Sequence, residues 1–273
     1  QTVMTADAQL QVGGVGYAPH GNFSLDGKEI QLTDHADILD LFRAGLLCND
    51  ASVHQHAGTW MIHGDPTEGA LITLAIKAAL DPVHEYEALP RMDVIPFESE
   101  HRFMATLHHD CAGHGLMYGR GAPEALLAMC SLQRSLGEDH RINLDLWHAK
   151  IHAVSATGQR ILAIASRALQ ADQKTLKFSD VDTDFTLLGL VGITDPPREE
   201  VIAAIDKCHA AGIRVKMITG DHRSTACAIG AQLGIGDGQR AITGLELDNL
   251  DDAQLRQVVA EVDIFARASP EHK

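Results

Sequence analysis

Apolar and polar positions along this chain follow two different periods. In residues 34–48 the apolar side chains Ile38, Leu39, Leu41, Phe42, Leu46 and Leu47 form a one-sided helical stripe, with Asp34 placed to cap its start. Residues 1–33 instead break into short apolar runs between turn residues and predict strands. Their Gly-rich run Val12-Gly13-Gly14-Val15-Gly16-Tyr17 fits neither common phosphate-loop spacing and is expected to be a hairpin. Asp65, Pro66 and Glu68 open a second helix, expected to run to about residue 80 and to be closed by Asp81-Pro82. A strand is expected from near Arg102, and another from Leu116 into the turn Gly119-Arg120-Gly121 before a helix at Pro123-Glu124. Residues 147–157 read as a helix ended by Gly158, and residues 160–165 as a mostly buried strand with Arg160 at its mouth.

From residue 187 the texture changes. A strand at 187–193 leads to Asp195-Pro196-Pro197-Arg198. Helix 199–211, strand 213–218, helix 224–233, strand 240–243, helix 251–259 and strand 262–266 follow. Strands alternating with helices predict a parallel, doubly wound sheet, in which ligands sit at the carboxyl ends of the strands. Thr219-Gly220-Asp221 occupies such an end. Gly220 allows a sharp turn without a Cβ, the helix that follows offers free N–H groups to an anion, Thr219 offers a hydroxyl, and Asp221 can cap the helix or hold Mg²⁺ through water. An ordinary strand–helix turn with a capping Asp is the competing reading. Asp195 and Arg267 also follow strands on that edge.

Composition narrows the function classes. The chain has 273 residues, 45% of them hydrophobic, enough for one large domain or two ordinary ones. A net charge of −15 argues against nucleic acid or an anionic membrane surface as the main partner, while leaving room for a nucleotide in a local basic pocket. Five cysteines without Cys-x-x-Cys spacing suggest free thiols in a reducing compartment. Among sixteen histidines, His54-Gln55-His56 and His108-His109 lack metal-site spacing and are expected to be solvated surface groups. No apolar run approaches 18 residues, so no membrane span is expected. Gln1 and the stretch 266–273 both read as cut ends of something longer.

Three candidates carry ligand chemistry in the first part. Phe97 stands among polar neighbours and is a candidate exposed ring for a purine face, against the alternative of a core side chain. Glu68 has the spacing of a capping-box partner for Asp65, which competes with a binding role. Arg120 lies between two glycines, where backbone can approach a ligand closely.

Several runs, in order, resemble the cytosolic region of P-type ATPases, most closely the type II, calcium-pump-like cation transporters. They are Gly64-Asp65-Pro66-Thr67-Glu68-Gly69-Ala70-Leu71, Pro96-Phe97 with Arg102-Phe103-Met104, Gly119-Arg120-Gly121-Ala122-Pro123-Glu124, Gly158-Gln159-Arg160, Asp195-Pro196-Pro197-Arg198, Met217-Ile218-Thr219-Gly220-Asp221-His222, and Ala266-Arg267-Ala268-Ser269-Pro270-Glu271-His272-Lys273. The resemblance implies an α/β chain of two parts. Residues 1–190 would be an α+β nucleotide-binding domain, an antiparallel sheet flanked by helices. Residues 191–273 would be part of a phosphorylation domain with a haloacid-dehalogenase-like, doubly wound parallel sheet. It implies ATP, with Mg²⁺, as ligand: Phe97 on the adenine, Glu68 near its edge, and Arg102, Arg120, Gly121 and Arg160 along ribose and phosphates. Thr219, Gly220 and Asp221 would meet the transferred phosphate, Arg267 and Lys273 would contact nucleotide or phosphate, and Asp195 and Arg198 would lie at the domain hinge. The other partners implied are the transmembrane and actuator domains of the same pump, with the chain itself monomeric.

The chain departs from the family pattern in places. Arg120 and Arg102 stand where Lys is frequent, and Ser99 where some members have Arg. The Asp-Lys-Thr-Gly-Thr run of the phosphorylated Asp would lie before Gln1, and the Mg²⁺-binding Thr-Gly-Asp-Gly-x-Asn-Asp run after Lys273. The expectation is a chain that binds ATP weakly and does not hydrolyse it. The alternatives are a soluble phosphatase using Asp182 of Asp182-x-Asp184-x-Thr186, or a non-catalytic adenine-nucleotide sensor. In the phosphatase signature a buried strand comes first, whereas here the apolar strand follows.

Overall fold

A computed structural model describes residues 1–14, 16–56, 58–169, 173–194 and 199–272. In chain order the strands and helices are β1 (Thr2–Met4), β2 (Gln9–Val12), β3 (Phe23–Leu25), β4 (Lys28–Ile30), α1 (Ala36–Leu47), β5 (Ser52–His56), β6 (Thr59–His63), α2 (Pro66–Lys77) and α3 (Pro82–Ala88). Next come β7 (Arg91–Ile95), β8 (Phe103–His109), β9 (Gly115–Gly121), α4 (Pro123–Met129), β10 (Cys130–Ser135), β11 (Glu138–Arg141), α5 (Leu144–Ser155), β12 (Arg160–Leu169) and β13 (Phe185–Ile193). The last are α6 (Glu199–Ala210), β14 (Met217–Ile218), α7 (Arg223–Leu233), β15 (Ala241–Thr243), α8 (Gly244–Leu247), α9 (Asp252–Glu261) and β16 (Ile264–Ala266). The chain falls into two compact units, residues 1–148 with 161–193, and residues 149–160 with 194–273.

The first unit is built on one large sheet in the order β4-β3-β2-β1-β13-β12-β9-β8-β7, with β10 and β11 attached beside β13. Its pairs are antiparallel at β1–β13, β12–β9, β9–β8 and β8–β7, and parallel at β10–β13. Helix α1 lays the predicted stripe on this sheet: Ile38, Leu41, Phe42, Leu46 and Leu47 are buried. The helix begins at Ala36 after a 3-10 turn at Leu32–Asp34, so His35 and not Asp34 takes the N-cap position. Approach is close at Gly189, where a Cβ would stand 2.3 Å from Leu41 Cδ1 and 2.4 Å from Met4 O.

Four expectations change here. Strand β13, expected to start the parallel sheet, instead pairs with β1 and β10 in the large sheet, because its nine consecutive buried residues suit a central position. Helix α2 ends at Lys77, and Asp81 then accepts the Val83 N–H to cap a separate helix, α3. Gly119-Arg120-Gly121 is not a turn but the end of β9. Its Gly121 leaves no room for a Cβ, which would lie 2.4 Å from Arg102 O. His108, expected at the surface, is 1% exposed; Leu89 O and Thr106 Oγ1 satisfy its two ring nitrogens.

The second unit has a three-stranded parallel sheet, β14-β16-β15, over a core of Ile205, Ala226, Leu233, Ile235, Ile264 and Ala266. The expected strand 213–218 shrinks to Met217–Ile218. Ahead of it Arg214 pairs with Asp263 at 2.5 Å and donates to the carbonyls of Ala260 and Glu261, at the end of α9. Lys216 donates to Val262 O at 2.7 Å. These side chains tie the segment down where a ladder was expected, and they satisfy carbonyls that a helix end leaves without partners.

Candidate functional site

In the first unit the site is built where β8, β9 and the start of α2 meet. Asp65 caps α2 by accepting from Thr67 N and Glu68 N, with Pro66 in the first turn. Glu68 does not complete a capping box. Its Oε1 lies 2.5 Å from Arg120 Nη2, and its Oε2 accepts the Asp50 N–H at 3.1 Å. Arg120, on β9 beside Met104 of β8, is 5% exposed. Its Nε donates to Cys48 O at 2.9 Å, and Nη2 also lies 3.3 Å from Met104 Sδ. The guanidinium is therefore held inside the unit rather than offered to solvent.

Phe97 follows β7 and is 54% exposed, the exposed ring that its polar neighbours suggested. It opens a tight loop in which Arg102 N donates to Glu98 O at 2.7 Å and Arg102 itself has φ 60. A left-handed arginine is strained, and Ala122 N holds it by donating to Arg102 O at 2.9 Å. Gly121 is needed for that approach. Arg102 is exposed, so of the two arginines near this loop it is the one open to a ligand. The loop's far side is packed, with His101 4.7 Å from the Phe178 ring.

Two groups here escaped the sequence reading. Asn49 is 3% exposed and donates to Gly45 O and Glu68 O while accepting from Ala51 N. Arg91 pairs with Asp50 at 2.6 Å and donates to Leu47 O and Asn49 O. The one signal for them was a polar pair, Asn49-Asp50, directly after an apolar helix.

In the second unit Thr219-Gly220-Asp221 follows β14. The Thr219 hydroxyl donates to Asp221 Oδ2 at 2.9 Å and accepts the Asp221 N–H at 3.1 Å. Asp221 does not cap α7. His222 does, accepting from Ser224 N, because α7 starts one residue later than Asp221 could reach. Asp221 instead faces Arg160, whose Nε is 3.3 Å from Oδ1. Gly220 has open space where its Cβ would be and is absent from the positive-φ glycines, so the turn itself does not demand glycine. Arg267 has φ 49 and donates from Nη1 to Gly220 O at 3.2 Å and from its backbone to Asp221 O at 3.0 Å. Asp195, Arg198 and Lys273 lie outside the described residues.

Asp182 and Asp184 stand ahead of β13, not after a strand, and Thr186 Oγ1 is bound to Asp139 at 3.0 Å. Among the described residues no group of three or more His, Cys, Asp or Glu gathers to hold a metal ion, and no helix is long and apolar enough to cross a membrane. In the first unit the residues present fit a purine nucleotide in kind, with an exposed ring, a fixed acceptor carboxylate and an exposed arginine. In the second, the Thr-Gly-Asp turn fits a phosphate in kind.

Residues 37–200 match the family model described as P-type ATPase, cytoplasmic domain N. The chain is 37% identical to the cation-transporting ATPase pma1 of Synechocystis sp., with all of the chain and 31% of that protein aligned. It is 34% identical to a calcium-transporting ATPase of Bacillus subtilis, over 96% of the chain and 30% of that protein. It is 33% identical to the human calcium-transporting ATPase type 2C member 1, over 99% of the chain and 28% of that protein. The chain thus spans under a third of the length of these relatives. With the family model over more than half of its residues and these relatives over nearly all of them, the chain belongs to the P-type ATPase family.

Proposed function

We propose that this chain is the ATP-binding cytosolic portion of a P-type cation pump. Residues 1–190 would be the nucleotide-binding domain and 191–273 part of the phosphorylation domain. In the first unit adenine stacks on Phe97, Glu68 accepts from its edge, and Arg102 meets the ribose and phosphates. In the second unit Thr219, Gly220 and Asp221, with Arg160 and Arg267 beside them, offer a turn suited to the transferred phosphate; the resemblance alone gives Lys273 a nucleotide or phosphate contact and Asp195 and Arg198 a place at the domain hinge. Mg²⁺ arrives with the triphosphate. In the whole pump the γ-phosphate would pass to an aspartate in an Asp-Lys-Thr-Gly-Thr run, which these 273 residues do not contain, and transfer would drive a cation across the membrane. This stretch by itself binds without turnover.

The observation that carries the reading is the Phe97 ring, 54% exposed on a loop held in shape by Arg102 and Gly121. A large exposed aromatic on an ordered loop suits a stacked base. The test is an ATP titration followed by amide NMR shifts, beside Phe97→Ala. Saturable binding with Kd on the order of 0.1–1 mM, lost in the variant, is the expected result. An intact fold with no binding, or turnover that scales with the chain's concentration, overturns it.

A further inference from the structure

We infer that Phe178 and His101 are positioning residues for the Phe97 ring, and that the segment between β12 and β13 braces the loop on which a base stacks. This rests on the reading that adenine lies on Phe97, and adds to it what holds that ring in place.

Residues 173–183 are fastened along β7 and β8. At the end of β8, His109 Nε2 donates to Gln173 O at 2.7 Å. On β7, Asp93 Oδ2 accepts the Leu176 N–H at 2.7 Å. Phe178 then reaches Phe103, at the start of β8, and His101 just before it. Asp180 Oδ2 takes the Lys177 N–H and the Gln173 amide, and Arg167 of β12 donates to the carbonyls of Asp180 and Thr183. His109 and Asp93 make these contacts through side chains, so they do not make the segment one more strand on the β7 edge. They carry Phe178 to the back of the ligand loop.

Three rings form one cluster there. The His101 ring centre is 4.7 Å from that of Phe178 and 6.1 Å from that of Phe103, and Phe103 and Phe178 meet nearly edge-on at 6.4 Å. Phe103 is buried, whereas Phe178 is 49% exposed and adds little to the core. The loop that carries Phe97 is held at both ends. At one end Ile95 pairs with Ala105, and Pro96 has its φ set by its ring. At the other, His101 precedes Arg102, whose φ of 60 closes the turn with its N–H on Glu98 O. A left-handed arginine persists only where its surroundings over-determine it, and the ring cluster supplies part of that constraint. Without Phe178 the His101 end loosens and the exposed Phe97 ring loses its fixed direction.

The test titrates adenosine and ATP against the full chain, Phe178→Ala, Phe178→Tyr, His101→Ala and the F178A/H101A double variant, with thermal unfolding of each. F178A should raise the Kd of adenosine and of ATP by the same factor, about three- to tenfold, the range that one aromatic pair supports, at an unchanged Tm. H101A should do the same, and the double variant should lose no more than the weaker-binding single one, because both act through one contact. F178Y, which keeps the ring, should bind like wild type. An unchanged Kd in F178A overturns the inference, as does an F178Y as weak as F178A. Losses that multiply in the double variant make the two rings independent and overturn it as well. A loss for ATP that exceeds the loss for adenosine ties Phe178 to the phosphates, and a Tm that falls with affinity assigns it to packing; either overturns the brace. Wild type that binds neither ligand, or F97A that binds both as well as wild type does, overturns the adenine reading and the brace together. Binding lost in F97A but untouched in F178A overturns the brace alone.

Discussion

The Nδ1 atom of His108, on β8, lies 2.9 Å from the carbonyl oxygen of Leu89, the residue that closes α3. The other ring nitrogen meets Thr106 Oγ1 at 2.9 Å, so a neutral imidazole bridges helix and sheet with both nitrogens engaged. Burial pushes this histidine down to about 4. In the unfolded chain it titrates near 6.5, so between these values the unfolded state binds the extra proton. Stability from this group is fully present above pH 6.5 and is lost as pH falls toward 4, by about 3 kcal/mol. Urea midpoints at pH 7, 5.5 and 4 should fall steadily in wild type and less steeply in His108→Gln. Parallel curves would remove His108 as the cause.

Gly189→Ala should destabilise the first unit. The new methyl meets Leu41 Cδ1 and the Met4 carbonyl, one a packed core atom and the other backbone. Neither can move cheaply, and overpacking of this kind costs about 1–3 kcal/mol. Thermal unfolding would show it as a lower Tm; an unchanged Tm means the sheet can spread there.

Gln133→Ala removes one acceptor shared by two donors. Gln133 Oε1 takes the indole N–H of the buried Trp147 at 2.9 Å and the Asn143 N–H at 2.8 Å. The expected loss is about 1–3 kcal/mol. Emission from Trp147 should shift on substitution, and equal spectra for the two proteins would count against a link between this bond and the ring's environment.

Phe97→Ala should separate binding from stability. The ring is 54% exposed, so its removal should change unfolding free energy by no more than about 0.5 kcal/mol. ATP affinity should weaken by about 1–3 kcal/mol if a base stacks there. A variant that loses stability and affinity together would assign Phe97 to packing.

Much of this architecture could be read from periodicity. The stripe of α1, the Asp65-Pro66 start of α2 and the late alternation of strands and helices all carry local signals that survive folding. Several of the errors share a cause, which is that a deciding partner lies outside the local stretch being read. Arg120 between two glycines reads as an open loop, yet β8 stands beside it and Cys48 and Glu68 receive its side chain. Residues 213–216 read as strand, yet Asp263 and the end of α9 draw Arg214 and Lys216 away. His108 reads as polar surface until Leu89 and Thr106 are seen to satisfy it. At the site, the exposure of Phe97 was legible from its neighbours, while the Asn49–Arg91 network was not.

The pairing of β1 with β13 sets Thr2 opposite Gly192 and Met4 opposite Leu190. A ribosome makes these partners far apart in time. Strand β1 can join β2 almost at once, while β13, its partner on the other edge, emerges much later. Chains interrupted between those points would carry a bare strand edge beside an apolar helix, a template for pairing with a neighbour. The first unit thus closes like a clasp whose two halves are the earliest and the latest of its strands, and its yield in cells should depend on how quickly the interval between them is translated.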